Sequence, residues 1–435
     1  MHDIDNEEVD MVTRKKLDDE IVLRREMLKN NCSRASAYYK SAFKDCYKEV
    51  VIQGEEISRY MYKRYALDKT EYVFHKFDLL SIGENVALSH MDYAKIEAIR
   101  FIACEFKNCK FQNMIFKNCR FNGCQFVNVN FDHVIFDNCM FTIPVIENAM
   151  DANGTFYATT TFQKCIFVGE FKECDLDNML FEKCNFTVSK FRDSSLQKVV
   201  FYACAICGGE IQDCRLQGMA IGRTDILDIT FTDERNSSVD ENTLIDYRII
   251  SKRKDSNKKN EAGWIPGNFD DLCLKKSQSL RGFSRLFGLN GYPDLEGEMF
   301  YFTKKIELKA LHSLKKIKSV IALILCGYGE RPSFTFYTMI VSILLFGIIY
   351  MFSGIQIGDG IPNIRYPLDK TPGVKQIMGD FGRCIFFSLT TFSTVGYGNY
   401  VPLGPVGMIV SGVQMIWGVS LCALWTGCIF RKIAR

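Results

Sequence analysis

The chain has 435 residues, with 54 basic against 51 acidic side chains and a formal net charge of +3. That near-balance excludes a general nucleic-acid binder, which carries a strong basic excess. Hydrophobic residues make up 47% of the chain and mean hydropathy is near zero, as in a soluble protein, yet the apolar residues concentrate after position 334.

The N-terminus is acidic and polar and lacks the apolar stretch of a secretory signal, so the first part of the chain is expected to stay in the cytosol. Between residues 8 and 75, apolar positions such as Val9, Val12, Leu17, Ile21 and Leu28 are spaced as in amphipathic helices. These helices are expected either to cap a neighbouring domain or to act in subunit contact or regulation. Residues 1–85 are taken as one such segment.

From residue 86 to 231 a period of five takes over. Phe recurs without a miss at every fifth position from 101 to 141, and the phase returns from Phe171 through Leu176, Phe181, Phe186 and Phe191 to Phe231. Two positions before these centres stands a small residue, often Cys, as at Cys104, Cys109, Cys119, Cys124, Cys139, Cys174, Cys184, Cys204 and Cys214. Residues 142–160 read as an inserted loop, with Phe162 and Phe167 one register off.

A period of five fits neither helix nor strand. It fits a solenoid with one pentapeptide per side of a square coil, two side chains inward and three toward water. By that rule Glu182 points outward and should tolerate Lys. The pattern resembles the pentapeptide-repeat family, which implies a right-handed quadrilateral parallel β-helix. The cysteines then read as small core residues, reduced in the cytosol, rather than as metal ligands. Acidic and basic side chains are mixed on the repeat, which disfavours the DNA mimicry known in that family.

Residues 232–330 read as loops followed by helix. The stretch 297–325 is expected to form one long helix, with Lys304, Lys305, Lys315, Lys316 and Lys318 along it and Arg331 beyond, marking a cytoplasmic flank. The apolar run 320–326 is too short to span a bilayer and is expected on the membrane surface or against the following domain.

Residues 331–435 form the last domain. The uncharged run 334–352 is roughly 28 Å long as a helix, enough to cross the hydrocarbon core. A second span covers 405–430 and ends in Arg431, Lys432 and Arg435. Both charged flanks are then cytoplasmic. Between the spans, a pore helix over 381–393 is followed by Thr394, Val395, Gly396, Tyr397 and Gly398.

This arrangement resembles a two-helix potassium-channel pore, in which backbone carbonyls of a filter loop replace the ion's water shell. The resemblance implies an all-α pore domain, a homotetramer in the lipid of a bacterial plasma membrane, and potassium as the permeant ion, with no cofactor. It assigns the carbonyls of 394–398 and the Thr394 hydroxyl to the ion. It also places Gly418 at a hinge or a close helix contact, and Val419, Cys422 and Thr426 toward the cavity. Asn399 departs from the Asp that the family carries after its filter, which leaves conductance and inactivation open.

The sequence shows no phosphate loop, metal-ligand cluster or nucleophile with its base, so an enzyme is not expected. A scaffold that binds an unknown cytosolic partner, and a less selective cation channel, stand as alternatives. The gating stimulus is not legible. With the second span ending close to residue 435, any influence of the repeat domain is expected through the helix before 334 or through the N-terminal segment.

Overall fold

The computed structural model describes residues 2–42, 49–53, 56–57, 69–82, 94–146, 155–232, 236–247, 268–358, 363–366 and 373–434. Contacts divide the chain into two compact units, Met1–Ala310 and Leu311–Arg435.

The first unit is built on stacked parallel strands. Each coil takes twenty residues where it is regular, so Phe121 pairs with Phe101 and Phe126 with Phe106. The centres form columns of parallel rings. Phe106, Phe126, Phe162, Phe181 and Phe201 stack at 4.6, 4.5, 5.1 and 5.0 Å. Neighbouring columns meet edge to face, as Phe111 does with Phe116 at 5.6 Å. Burying such rings carries most of the apolar gain of the fold.

The small position has a reason beyond size. The thiol of Cys124 donates to the carbonyl of Phe101 in the preceding coil, Cys184 to Phe162, and Cys214 to Phe191. Ser194 and Thr224 make the same bond at equivalent places, to Phe171 and Phe201. Where the position holds Cys, Ser or Thr, the small side chain thus carries a hydrogen-bond donor to the neighbouring coil. Burial pushes the Cys109 and Cys214 thiols up to about 11, so they stay neutral near pH 7. At the corners the backbone takes positive φ, and Asn is frequent there. Asn128 donates to Asn108, and Asn138 to Asn118, each at 2.8 Å.

The solenoid is longer than the repeat suggests. It starts at Val50–Gln53, not at residue 86, and closes at Leu244–Ile245, not at 231. Tyr72, Phe77 and Ile82 already occupy centre positions opposite Phe101, Phe106 and Phe111. The long interval between Ile82 and Ile96 hides this phase in the sequence. The inserted segment is a hairpin, Ile143–Ile146 antiparallel to Thr155–Ala158. The register slip is absorbed where Phe167 and Phe171, four apart, pair with Phe131 and Phe136, five apart.

Among the described residues up to 75, the expected helices reduce to α1 (His2–Ala42), and Val50–Gln53 and Glu71–Val73 are strands. The helix does not cap the solenoid end. It runs along the side, over a sheet that contains Leu180–Glu182, Val200–Tyr202 and Ala220–Gly222. Ile21 and Leu28 pack with Leu180, Val200, Tyr202 and Ala220, while Ala35 and Tyr39 pack with Val73, Ile102 and Ala158. The helix rise of about 1.5 Å per residue thus covers several coils at about 4.8 Å each.

This overturns the outward assignment of Glu182. Its side chain is buried beneath α1 and pairs with Arg25 and Lys29, while Gln163 donates to it. The five-residue rule names the face that points away from the core and is blind to a helix laid over that face.

The last coil is closed by α2 (Phe269–Leu289), which packs against α3 (Pro293–Ala310). The amide of Asp228 donates to the Lys275 carbonyl and that of Ile229 to the Ser279 hydroxyl, which satisfies groups at the open sheet edge. Phe231 meets Phe283 edge to face.

The expected helix over 297–325 is broken. α3 ends at Ala310 and α4 (Ser313–Cys326) begins after an extended His312, with Ser313 at φ 55°. No Gly or Pro marks this break, which is also the boundary between the two units.

Candidate ion pore

The second unit holds α4, α5 (Pro332–Ser353), α6 (Val374–Phe392) and α7 (Gly404–Ile433). α5 and α7 are long and apolar enough to cross a membrane. α4 packs on α5, and Thr338 donates to the Ile324 carbonyl. α6 starts at Val374, earlier than the expected 381. Its added turns carry Asp380, which receives hydrogen bonds from Tyr366 and Arg383.

The loop after α6 turns back on the helix end. The amide of Thr394 donates to the Thr391 carbonyl, and those of Val395 and Gly396 donate to that of Thr390. φ is positive at Thr394 (56°), Gly396 (52°) and Gly398 (84°), and not at Val395 or Tyr397. Alternating handedness of this kind lets successive carbonyls face one side, and glycine adopts the positive values at low cost. Among the described residues no carbonyl from 394 to 398 accepts a hydrogen bond from its own chain. A row of unengaged carbonyls lies beside the C-terminal, negative end of a helix. That arrangement suits a dehydrated cation.

The loop is braced from both sides. The Phe386 ring on α6 lies parallel to that of Tyr397, with centroids 6.2 Å apart, and meets Tyr400 at 5.6 Å. Strand Ile355–Ile357 after α5 pairs antiparallel with Tyr400–Pro402, and the Asn399 carbonyl accepts from the Gly358 amide at 3.1 Å. Only the β-branched residues at 355, 357 and 401 mark this short sheet in the sequence.

On α7, Gly418 is buried against the end of α6, and the helix continues through it. The contact there is a close backbone approach of the two helices. Val419, Cys422 and Thr426 are exposed in the isolated chain. Residues that pattern did not single out are Tyr350, Ser388 and Gln414, which join all three long helices. A Gln within an apolar span was the available signal.

At the other end of α7, Arg431 forms an ion pair with Glu330 at 2.6 Å. Glu330 lies in the short connection between α4 and α5. The end of α7 is therefore tied to the segment that leads into α5.

Residues 338–435 match the ion-channel family, and residues 99–141 match the pentapeptide-repeat family in nine copies. The chain thus joins a pentapeptide-repeat β-helix to an ion-channel pore domain. A cyclic nucleotide-gated potassium channel of Rhizobium etli is 24% identical over 99 residues, 21% of this chain and 27% of that one. The chain therefore matches about a quarter of the length of that curated relative. Among solved structures, QnrB1, a plasmid-mediated fluoroquinolone resistance protein, is 15% identical, with 44% of this chain and 91% of that chain covered at a TM-score of 0.20. HetL, a pentapeptide repeat protein from the cyanobacterium Nostoc sp., is 9% identical, with 45% and 95% covered at a TM-score of 0.16.

Proposed function

We propose that four copies of this chain form a potassium-selective channel, with the carbonyls of 394–398 lining a common axis. The observation that carries this reading is the filter backbone, with φ alternating in sign and its carbonyls free, placed between two membrane-length helices. A single chain offers an ion one side of a coordination shell. Four copies around an axis would complete it. The match to a potassium channel of R. etli supports the same ion.

In this reading both charged flanks, Lys315, Lys316, Lys318 and Arg331 before α5 and Arg431 and Lys432 in the last turn of α7, lie on the cytoplasmic side. Val419, Cys422 and Thr426 face the inner cavity. Asn399 lowers the negative charge of the outer mouth relative to an Asp. The repeat unit is a cytoplasmic modulator whose state reaches the pore through the connection around Glu330 and its tie to Arg431.

Potassium flux into vesicles holding the purified protein tests the proposal. Wild type should pass potassium in a gradient-dependent way. Gly396→Asp should abolish the flux while leaving the repeat unit folded by circular dichroism. Flux unaffected by Gly396→Asp would place the conduction path elsewhere.

A further inference from the structure

Gln414 is fully buried on α7 and reaches both other long helices of the pore unit. Its Nε2 donates to the carbonyl of Ser388 at 3.0 Å and to the Ser388 hydroxyl at 2.6 Å. Its Oε1 accepts from the Tyr350 hydroxyl at 2.7 Å. The Ser388 hydroxyl in turn donates to the Ile343 carbonyl at 2.8 Å, so the chain of bonds runs from α7 through α6 to α5.

Both amide hydrogens and the amide oxygen of Gln414 are engaged. In an apolar span an amide stripped of these partners has no water to replace them, so the bonds are strongly held. An apolar side chain of the same size would fill the space and hold the helices together about as well. It would not fix their register, because apolar surfaces slide where hydrogen bonds do not.

The contact lies close to the filter. Ser388 is one turn before Phe392 on α6, and Gln414 is one turn before Gly418 on α7. The second pair also touches, since Gly418 packs on the Phe392 carbonyl. Two contacts a turn apart fix the last turn of α6 in depth and rotation. That turn supplies the Thr390 and Thr391 carbonyls on which the amides of 394, 395 and 396 rest.

We propose that Gln414 is a positioning residue for ion selectivity. It holds the end of α6 beneath the filter through Ser388, and the Tyr350 hydroxyl fixes the other end of the amide. The inference rests on the reading of 394–398 as a potassium filter.

The test uses full-length protein in planar bilayers with potassium and sodium on opposite sides. The variants are Gln414→Met, Ser388→Ala, their double, and Gln414→Glu. Gln414→Met, similar in size and apolar, should assemble as wild type does, with its potassium-to-sodium permeability ratio reduced at least about tenfold. The double variant should be no worse than Gln414→Met. A protonated Glu keeps the acceptor and one of the two donors of Gln, whereas an ionised Glu keeps no donor, and Tyr350 is the titratable group among the hydrogen-bond partners of Gln414. Gln414→Glu should therefore be selective in acid and lose selectivity as pH rises. A wild-type ratio in Gln414→Met, or additive losses in the double, overturns the proposal. Should Gln414→Met fail to assemble, a pH-independent ratio in Gln414→Glu overturns it. A wild type with no preference for potassium sinks the filter reading instead, and this inference with it.

Discussion

A methyl group placed on Gly418 would lie 2.3 Å from the carbonyl oxygen of Phe392. The obstacle is backbone, so it cannot rotate away. At Gly418, α7 and the end of α6 approach too closely for a side chain to fit without a shift.

Gly418→Ala should therefore force the two helices apart, at a cost of about 1–3 kcal/mol typical of overpacking. The melting temperature of the assembled protein in detergent should fall, and potassium flux with it. A glycine that serves only as a hinge behaves otherwise. Unchanged thermal stability with altered open times would restore the hinge.

Glu182 makes a separate prediction about the repeat unit. Burial raises its carboxyl pKa, but hydrogen bonds and charge from Lys29 and Arg25 outweigh this, and the net shift is downward from 4.5. A folded-state pKa below the unfolded value means that the ionised pair stabilises α1 docking at and above about pH 4.5. That contribution is lost as pH falls through the folded value. Hydrogen exchange of residues 15–42 should thus be slow at pH 7, after correction for intrinsic rates, and faster once the pH falls below the lowered folded-state value. Glu182→Gln should loosen α1 at pH 7 by about 1–3 kcal/mol while leaving the Phe columns protected. Equal protection of α1 in both proteins would remove the clamp from the account.

The repeat was legible because inward residues answer to one local rule, and Phe101 through Phe141 obey it without exception. The loop proposed as a filter stood out in the sequence because coordination of an ion by backbone carbonyls would need glycine at fixed places. What covers the solenoid was not read, although a signal was present. The residues just before the centres are mostly polar, yet Leu180, Val200 and Ala220 are apolar and twenty apart, one per coil on the same face. A second period of twenty marks the track of α1. The break at His312 left no such trace, because Ser313 adopts its positive φ without Gly or Asn. Gln414 and Tyr350 are polar residues scattered among others in apolar spans, and their pairing across helices gives them meaning.

Cys422 tests the proposed cavity. Among the described cysteines it is the exposed one, whereas those of the solenoid are buried with few exceptions. A cationic methanethiosulfonate reagent applied from the cytoplasmic side should block most of the potassium current. Cys422→Ser should be insensitive. Persisting block in Cys422→Ser, or no block in wild type, would turn this face of α7 away from the ion path.

The ion pair of Arg431 with Glu330 tests the proposed route from the repeat unit. A partly exposed pair is worth about 0.2–1 kcal/mol, or up to about fivefold in an open-to-closed equilibrium. Arg431→Glu should shift single-channel open probability within that range without changing selectivity. Adding Glu330→Arg should bring it back toward wild type. A charge swap that restores nothing would show that the two residues act independently.

The central claim is that residues 394–398 conduct potassium in preference to sodium. The most direct measurement is the reversal potential of the purified full-length protein in a bilayer with potassium chloride on one side and sodium chloride on the other. A carbonyl filter predicts a potential displaced far toward the potassium equilibrium value, with potassium at least about tenfold more permeant. A reversal potential near zero, with current abolished by Gly396→Asp, would mean that the same loop passes both ions and would contradict the account.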